Sequence, residues 1–266
     1  MAIANFLALL LYLVCGAALI RRFTQNDQKI NLEIPIGILT LLALIFHASD
    51  IFFTMKVVEG WDLGLFSSLS IATWLMALIA FSLGNNNQPA HPGMLVYPIA
   101  AISLILKATL PSQHLTQLSS PAVEWHVLLS LAAYSLFTLA ALNALVLAIQ
   151  EKQLRQRHIV GILGKLPPLQ TLETSLFQLI SIGFILLTVG LITGFVFVDD
   201  FFSQHLAHKT VLSIIAWFVF ATLLWGRYQY GWRSRTAIKW TLTGFVLLVL
   251  AYFGSKLVLE FMLNKP

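Results

Sequence analysis

Residues 174–197 read TSLFQLISIGFILLTVGLITGFVF, twenty-four positions without a charged side chain. At a rise of ~1.5 Å per residue a helix of that length covers about 36 Å, enough to cross the hydrocarbon core of a bilayer. Similar runs lie on either side of it. Reading outward gives spans at 2–20, 34–54, 66–84, 94–110, 124–150, 174–197, 210–227 and 240–262. In lipid each span must satisfy its own backbone hydrogen bonds, so each is expected as a helix. The predicted fold class is therefore an all-α integral membrane protein, one transmembrane domain over 1–266, with about eight transmembrane helices. The composition agrees: 58% of residues are apolar and 10% charged, against about 25% charged in a soluble domain.

The polar connectors are too short to fold alone, and they hold most of the charge. The net charge of +5 would point to nucleic acid in a soluble protein. Here it follows topology, and no nucleic-acid partner is expected. Basic residues resist translocation and collect on the cytoplasmic side. Arg21, Arg22, Lys29, Lys152, Arg155, Arg157, Lys165, Arg227, Arg233, Arg235 and Lys239 fall on one side of the alternating connectors, and only Lys56, Lys209 and Lys265 on the other. Both termini are accordingly expected outside, with the chain in a bacterial inner membrane. Lys107 and Lys256 lie within spans near their outer ends, where a long stem can snorkel to the headgroups. The first segment lacks a basic n-region and a small-residue cleavage site, so it is expected as a retained span.

Cys15 is the single cysteine, which excludes an intramolecular disulfide and a cysteine-based zinc cluster. It is expected as a buried, inert thiol. No internal repeat is evident, and residues 161–165, Gly-Ile-Leu-Gly-Lys, lack the spacing of a phosphate-binding loop. The middle of the membrane shows no carboxylate for a proton- or cation-coupled carrier.

Ionisable groups at membrane depth are expensive, which makes the histidines the first functional candidates. His47, His114, His126, His205 and His208 map to the outer half; His91 and His158 map to the cytoplasmic side. His126 follows Trp125 at the outer start of a long span, with Ser130 and Tyr134 one and two turns on. A neutral imidazole there can ligate a haem iron. It can equally be an interfacial histidine beside a belt tryptophan. His47 precedes Asp50 by three residues, a spacing at which the carboxylate can fix the imidazole's tautomer or simply form a packing pair. His205 and His208, near Asp199 and Asp200, resemble a loose divalent-metal site, or a solvated turn.

From Trp125 onward the chain resembles the cytochrome c assembly family of haem-handling membrane proteins, and within it the short branch of YpjD-like inner membrane proteins. The matching stretches are His126-Val127 with Ser130 and Tyr134, Thr193-Gly194, Ile215-Ala216-Trp217, Gly231-Trp232-Arg233 and Tyr252-Phe253-Gly254. The likeness spans roughly 120–260; before that Ser67 to Trp74 resembles the family more faintly.

The resemblance implies presentation of haem at the outer face for attachment to apocytochrome c. His126 takes the place of the first of two outer histidines. The family's tryptophan-rich outer loop would fall at 198–209, where Phe201 and Phe202 are the aromatic residues present. The second outer histidine, expected after Tyr252-Phe253-Gly254, is absent, and Trp225 stands about where the family has a histidine in the seventh span. A haem held by His126 as iron ligand would thus draw its partner from His47, His205 or His208.

The expected function is haem handling in cytochrome c assembly, by binding and delivery rather than catalysis, alongside other maturation proteins. A second possibility is a membrane accessory or regulator of a divalent-cation transporter that has lost haem, with Asp199, Asp200, His205 and His208 as the residues concerned. A third is a purely structural assembly factor.

Overall fold

The computed structural model describes residues 2–25, 33–58, 61–83, 91–110, 115–116, 121–156, 166–197 and 204–254. These form eight α-helices: α1 (Ala2–Gln25), α2 (Glu33–Val58), α3 (Leu65–Leu83), α4 (Gly93–Thr109), α5 (Pro121–Arg155), α6 (Leu169–Phe197), α7 (Gln204–Tyr230) and α8 (Ser234–Val249). Seven of them are long and apolar enough to cross a membrane, and α4, with 17 residues, is the shorter one. The helical class is as expected. Two short strands, β1 (Trp61–Asp62) and β2 (Leu115–Thr116), pair antiparallel, a small departure from an all-α fold. Several helices overrun their apolar spans: α5 continues through Lys152 and Arg155, because a helix satisfies its backbone equally well in the headgroup region.

The chain divides into two compact units, 1–117 with 160–167 and 118–159 with 168–266. In the first, α1 packs on α2 and α4, and α3 on α2 and α4. Its core carries hydroxyl and ring groups between helices. Thr73 and Ser103 hydroxyls lie 2.6 Å apart between α3 and α4, and the Trp74 indole donates to the Leu44 carbonyl at 3.0 Å. Cys15 is buried, as expected, with its thiol towards the Ile36 carbonyl.

In the second unit α5 lies along α6 and against α8, and α7 packs on α6 and α8. Helices in lipid gain most from close van der Waals approach, and small residues permit it. Phe137 of α5 and Phe220 of α7 stack with centroids 4.0 Å apart. A Cβ on Gly183 of α6 would fall 3.2 Å from the Phe137 ring, and one on Gly244 of α8 2.6 Å from the Phe220 ring. The two glycines thus make the space that the stacked rings fill.

One end of this unit is held by ion pairs. The buried Glu173 accepts from Arg233 Nε at 2.9 Å and from the Ser234 amide at 3.0 Å. Glu173 so caps the start of α8, whose first amides have no partner within the helix. The turn into α8 needs left-handed backbone, supplied by Gly231 at φ 64° and by Ser234 at φ 53°. Glu151 takes Arg235 at 3.2 Å and Arg155 at 3.4 Å. Arg227 donates to the Trp232 carbonyl and stands 4.6 Å from the Phe177 ring centre.

Candidate functional site

The opposite end of the second unit carries His126. Helix α5 opens on Pro121, whose missing N–H is no loss in a first turn, and has Glu124 there to meet the positive end of the helix. That start sets Trp125 outward, 65% exposed, and turns the half-buried His126 towards the end of α6. His126 Nδ1 lies 3.1 Å from Thr193 Oγ1. The Thr193 hydroxyl also reaches back to the Gly190 carbonyl of its own helix, at 3.0 Å. Ser130 faces the same place, since a Cβ on Gly190 would sit 3.5 Å from its Oγ. Tyr134, a turn further on, belongs elsewhere: its hydroxyl donates to the Leu248 carbonyl of α8 at 2.9 Å, just ahead of a π-helical turn at Leu250–Gly254. Its ring meets that of Tyr252 at 5.5 Å.

The Gly190 backbone, to which Thr193 bonds, is itself a hydrogen-bond partner of the His126 ring. A half-buried imidazole whose Nδ1 is held by a neighbouring helix fits a haem-iron ligand, so the donor chemistry is compatible with the cofactor that the resemblance implies.

His47 is placed differently. It is 0% exposed, with Nε2 2.9 Å from Ser70 Oγ of α3 and Nδ1 3.4 Å from Tyr12 Oη of α1. Both ring nitrogens are engaged, and neither faces Asp50. The expected His47–Asp50 pairing therefore gives way to another one. Lys107 Nζ of α4 lies 2.7 Å from Asp50 Oδ2 and 3.1 Å from Thr54 Oγ1. Lys107, expected to snorkel, is instead drawn inward, because a buried carboxylate needs a cation more than the headgroups do. A void of about 10 Å³, on the order of one water molecule, lies beside the ammonium among Thr54, Trp61, Asp62 and Ser67.

His205 and His208 belong to the first turns of α7, but their side chains lie outside the described residues. So do Asp199, Asp200, Phe201, Phe202, His114 and His158. Among the described residues no group of three or more His, Cys, Asp or Glu side chains is arranged to hold a metal ion. His91 is described and lies ahead of α4. Its Nδ1 accepts the Gly93 amide at 2.9 Å, and burial first, then the positive charge of Arg22, hold the imidazole below its ordinary pKa.

Sequence reasoning missed the part played by Thr193, although it singled the residue out. The available signal was position: Thr193 stands at the end of the span following the one that His126 begins, and consecutive antiparallel spans bring such ends together.

The family profile described as cytochrome C assembly protein matches residues 3–263. The chain belongs to that family. Membership in the cytochrome c assembly family thus extends well ahead of residue 120, where the legible likeness began, and takes in the first unit too. Among similar proteins, the inner membrane protein YpjD of Escherichia coli strain K12 is 33% identical over 263 residues, covering 97% of this chain and 98% of its own. Protein HemX of Brevibacillus brevis is 22% identical across 87% of each chain. The cytochrome c biogenesis protein CcsA of Gloeobacter violaceus is 34% identical over 87 residues, 32% of this chain and 26% of its own.

Proposed function

We propose that the chain is a haem-handling protein of cytochrome c assembly, and that His126 is the residue that would ligate the iron. Membership of the family supports the role in general. The observation that carries the assignment to this residue is the His126 geometry: a half-buried ring with Nδ1 held beside Thr193, next to an exposed tryptophan. The exposed Trp125 next to it offers an aromatic face for a porphyrin edge. The chain is a multi-pass protein of the inner membrane, a reading supported by its seven long apolar helices and by the printed name of its Escherichia coli relative.

Haem supplies the iron and the group to be delivered; the chain's own task is to bind it, orient it and shield it from water. His205 and His208, whose side chains lie outside the described residues, are the candidates for a second ligand within the same unit. His47, with its ring nitrogens engaged by Ser70 and Tyr12, is not assigned to the iron.

The test is an absorption spectrum of protein purified after expression with ample haem. A Soret band that His126→Ala abolishes, in a variant of unchanged elution profile and melting midpoint, is the expected result. Colourless wild-type protein, or a band that His126→Ala leaves intact, would overturn the assignment.

A further inference from the structure

We infer that Thr193 is a positioning residue, whose hydroxyl accepts the Nδ1 proton of His126 and so leaves the Nε2 lone pair as the nitrogen offered to a metal. The purpose of this arrangement rests on the haem reading above; the geometry does not.

A threonine hydroxyl has one proton. Thr193 Oγ1 lies 3.0 Å from the Gly190 carbonyl and 3.1 Å from His126 Nδ1. A carbonyl can only accept, so a proton directed there leaves the hydroxyl oxygen as acceptor for the ring, and Nδ1 must carry the imidazole's hydrogen. The opposite assignment has the hydroxyl donating to Nδ1, which moves the ring proton to Nε2. The Gly190 carbonyl would then lose the threonine's proton. Thr188 shows the same division of roles, giving its own proton to the Phe184 carbonyl at 2.7 Å while accepting the Trp217 indole N–H at 2.9 Å. Threonine bonding back to a carbonyl three or four residues earlier is also the habit of this chain, seen at Thr188, Thr138 and Thr241. The ring is therefore fixed in one tautomer by a neighbouring helix, the role that carboxylates and carbonyls play behind metal-bound histidines.

The experiment uses the full-length protein in detergent with ¹⁵N-labelled histidine, free of haem, and reads the tautomer by NMR, the His126 signals being those lost in His126→Ala. The wild type is expected to show the Nδ1–H form. Thr193→Val, nearly isosteric but without the hydroxyl, should lose that preference, and Thr193→Ser should keep it. In a parallel haem titration Thr193→Val should bind about 10- to 100-fold more weakly, the usual loss when such a supporting group is removed, and Thr193→Ser close to wild type. An Nε2–H wild type, or a Thr193→Val variant with unchanged tautomer and unchanged affinity, would overturn the inference. If the wild type takes up no haem at all, the functional reading fails, while the NMR result still decides the role of Thr193.

Discussion

Asp50 and Lys107 each sit in an apolar helix, and in lipid neither can remain charged alone. Their 2.7 Å pair, with Lys107 only 13% exposed, resolves both problems at once. Thr54 completes the arrangement, because it donates to the Asp50 carbonyl at 2.7 Å and so accepts from the ammonium. Removing one partner strands the other, a change that destabilises buried pairs by about 3–5 kcal/mol, whereas removing both charges is far milder. Lys107→Met is accordingly expected to lower the melting midpoint in detergent markedly, and a second change, Asp50→Asn, to restore much of the loss. Equal midpoints for wild type and Lys107→Met would show that the pair contributes nothing. This contact was legible in principle, as two opposite charges within spans. It went unread because a sequence gives the depth of each charge but not which helices adjoin.

Helix α4 shows what hydropathy reads well and what it leaves out. Its apolar run locates the helix to within a residue, 94–110 against Gly93–Thr109, yet nothing in that pattern announces how it begins. The start is held by the His91 ring, which accepts the Gly93 amide and packs near Tyr97 with centroids 6.2 Å apart. Protonating Nδ1 turns that acceptor into a donor and breaks the bond. Because burial and Arg22 place the folded pKa below the unfolded one, the unfolded chain takes up the proton first as pH falls. The contribution of His91 is thus fully present above about pH 6.5, the ordinary histidine value, and declines as the pH drops through and below it. His91→Asn keeps an acceptor but does not titrate. Melting midpoints measured from pH 8 to pH 5 should show wild type losing more stability than His91→Asn over the acidic part of the range. Parallel curves would remove His91 as the cause. The ends of α1, α5 and α8 were harder to read for a related reason: helical backbone continues past the last apolar residue wherever polar side chains such as Arg22, Lys152 or Arg235 can reach water.

Sidedness is the property on which any haem role depends, since an outer ligand must stand in the outer leaflet. The second unit has two chemically distinct ends. One gathers Arg155, Arg227, Arg233 and Arg235 around Glu151 and Glu173; the other holds Trp125, His126 and Thr193. Basic residues are retained in the cytoplasm, so the first end is expected inward and the His126 end outward. That expectation comes from counting charges, and the helix packing of this unit gathers Arg155, Arg227, Arg233 and Arg235 at one end. Cysteine labelling tests it directly. In a Cys15→Ser background, Trp125→Cys and Tyr228→Cys place a thiol at sites 65% and 86% exposed at the two ends. A membrane-impermeant maleimide added to intact spheroplasts should modify the cysteine at 125 and spare that at 228 until the membrane is opened. The reverse pattern would put His126 in the cytoplasmic leaflet, and would remove the route by which an outer apocytochrome could reach a haem held there.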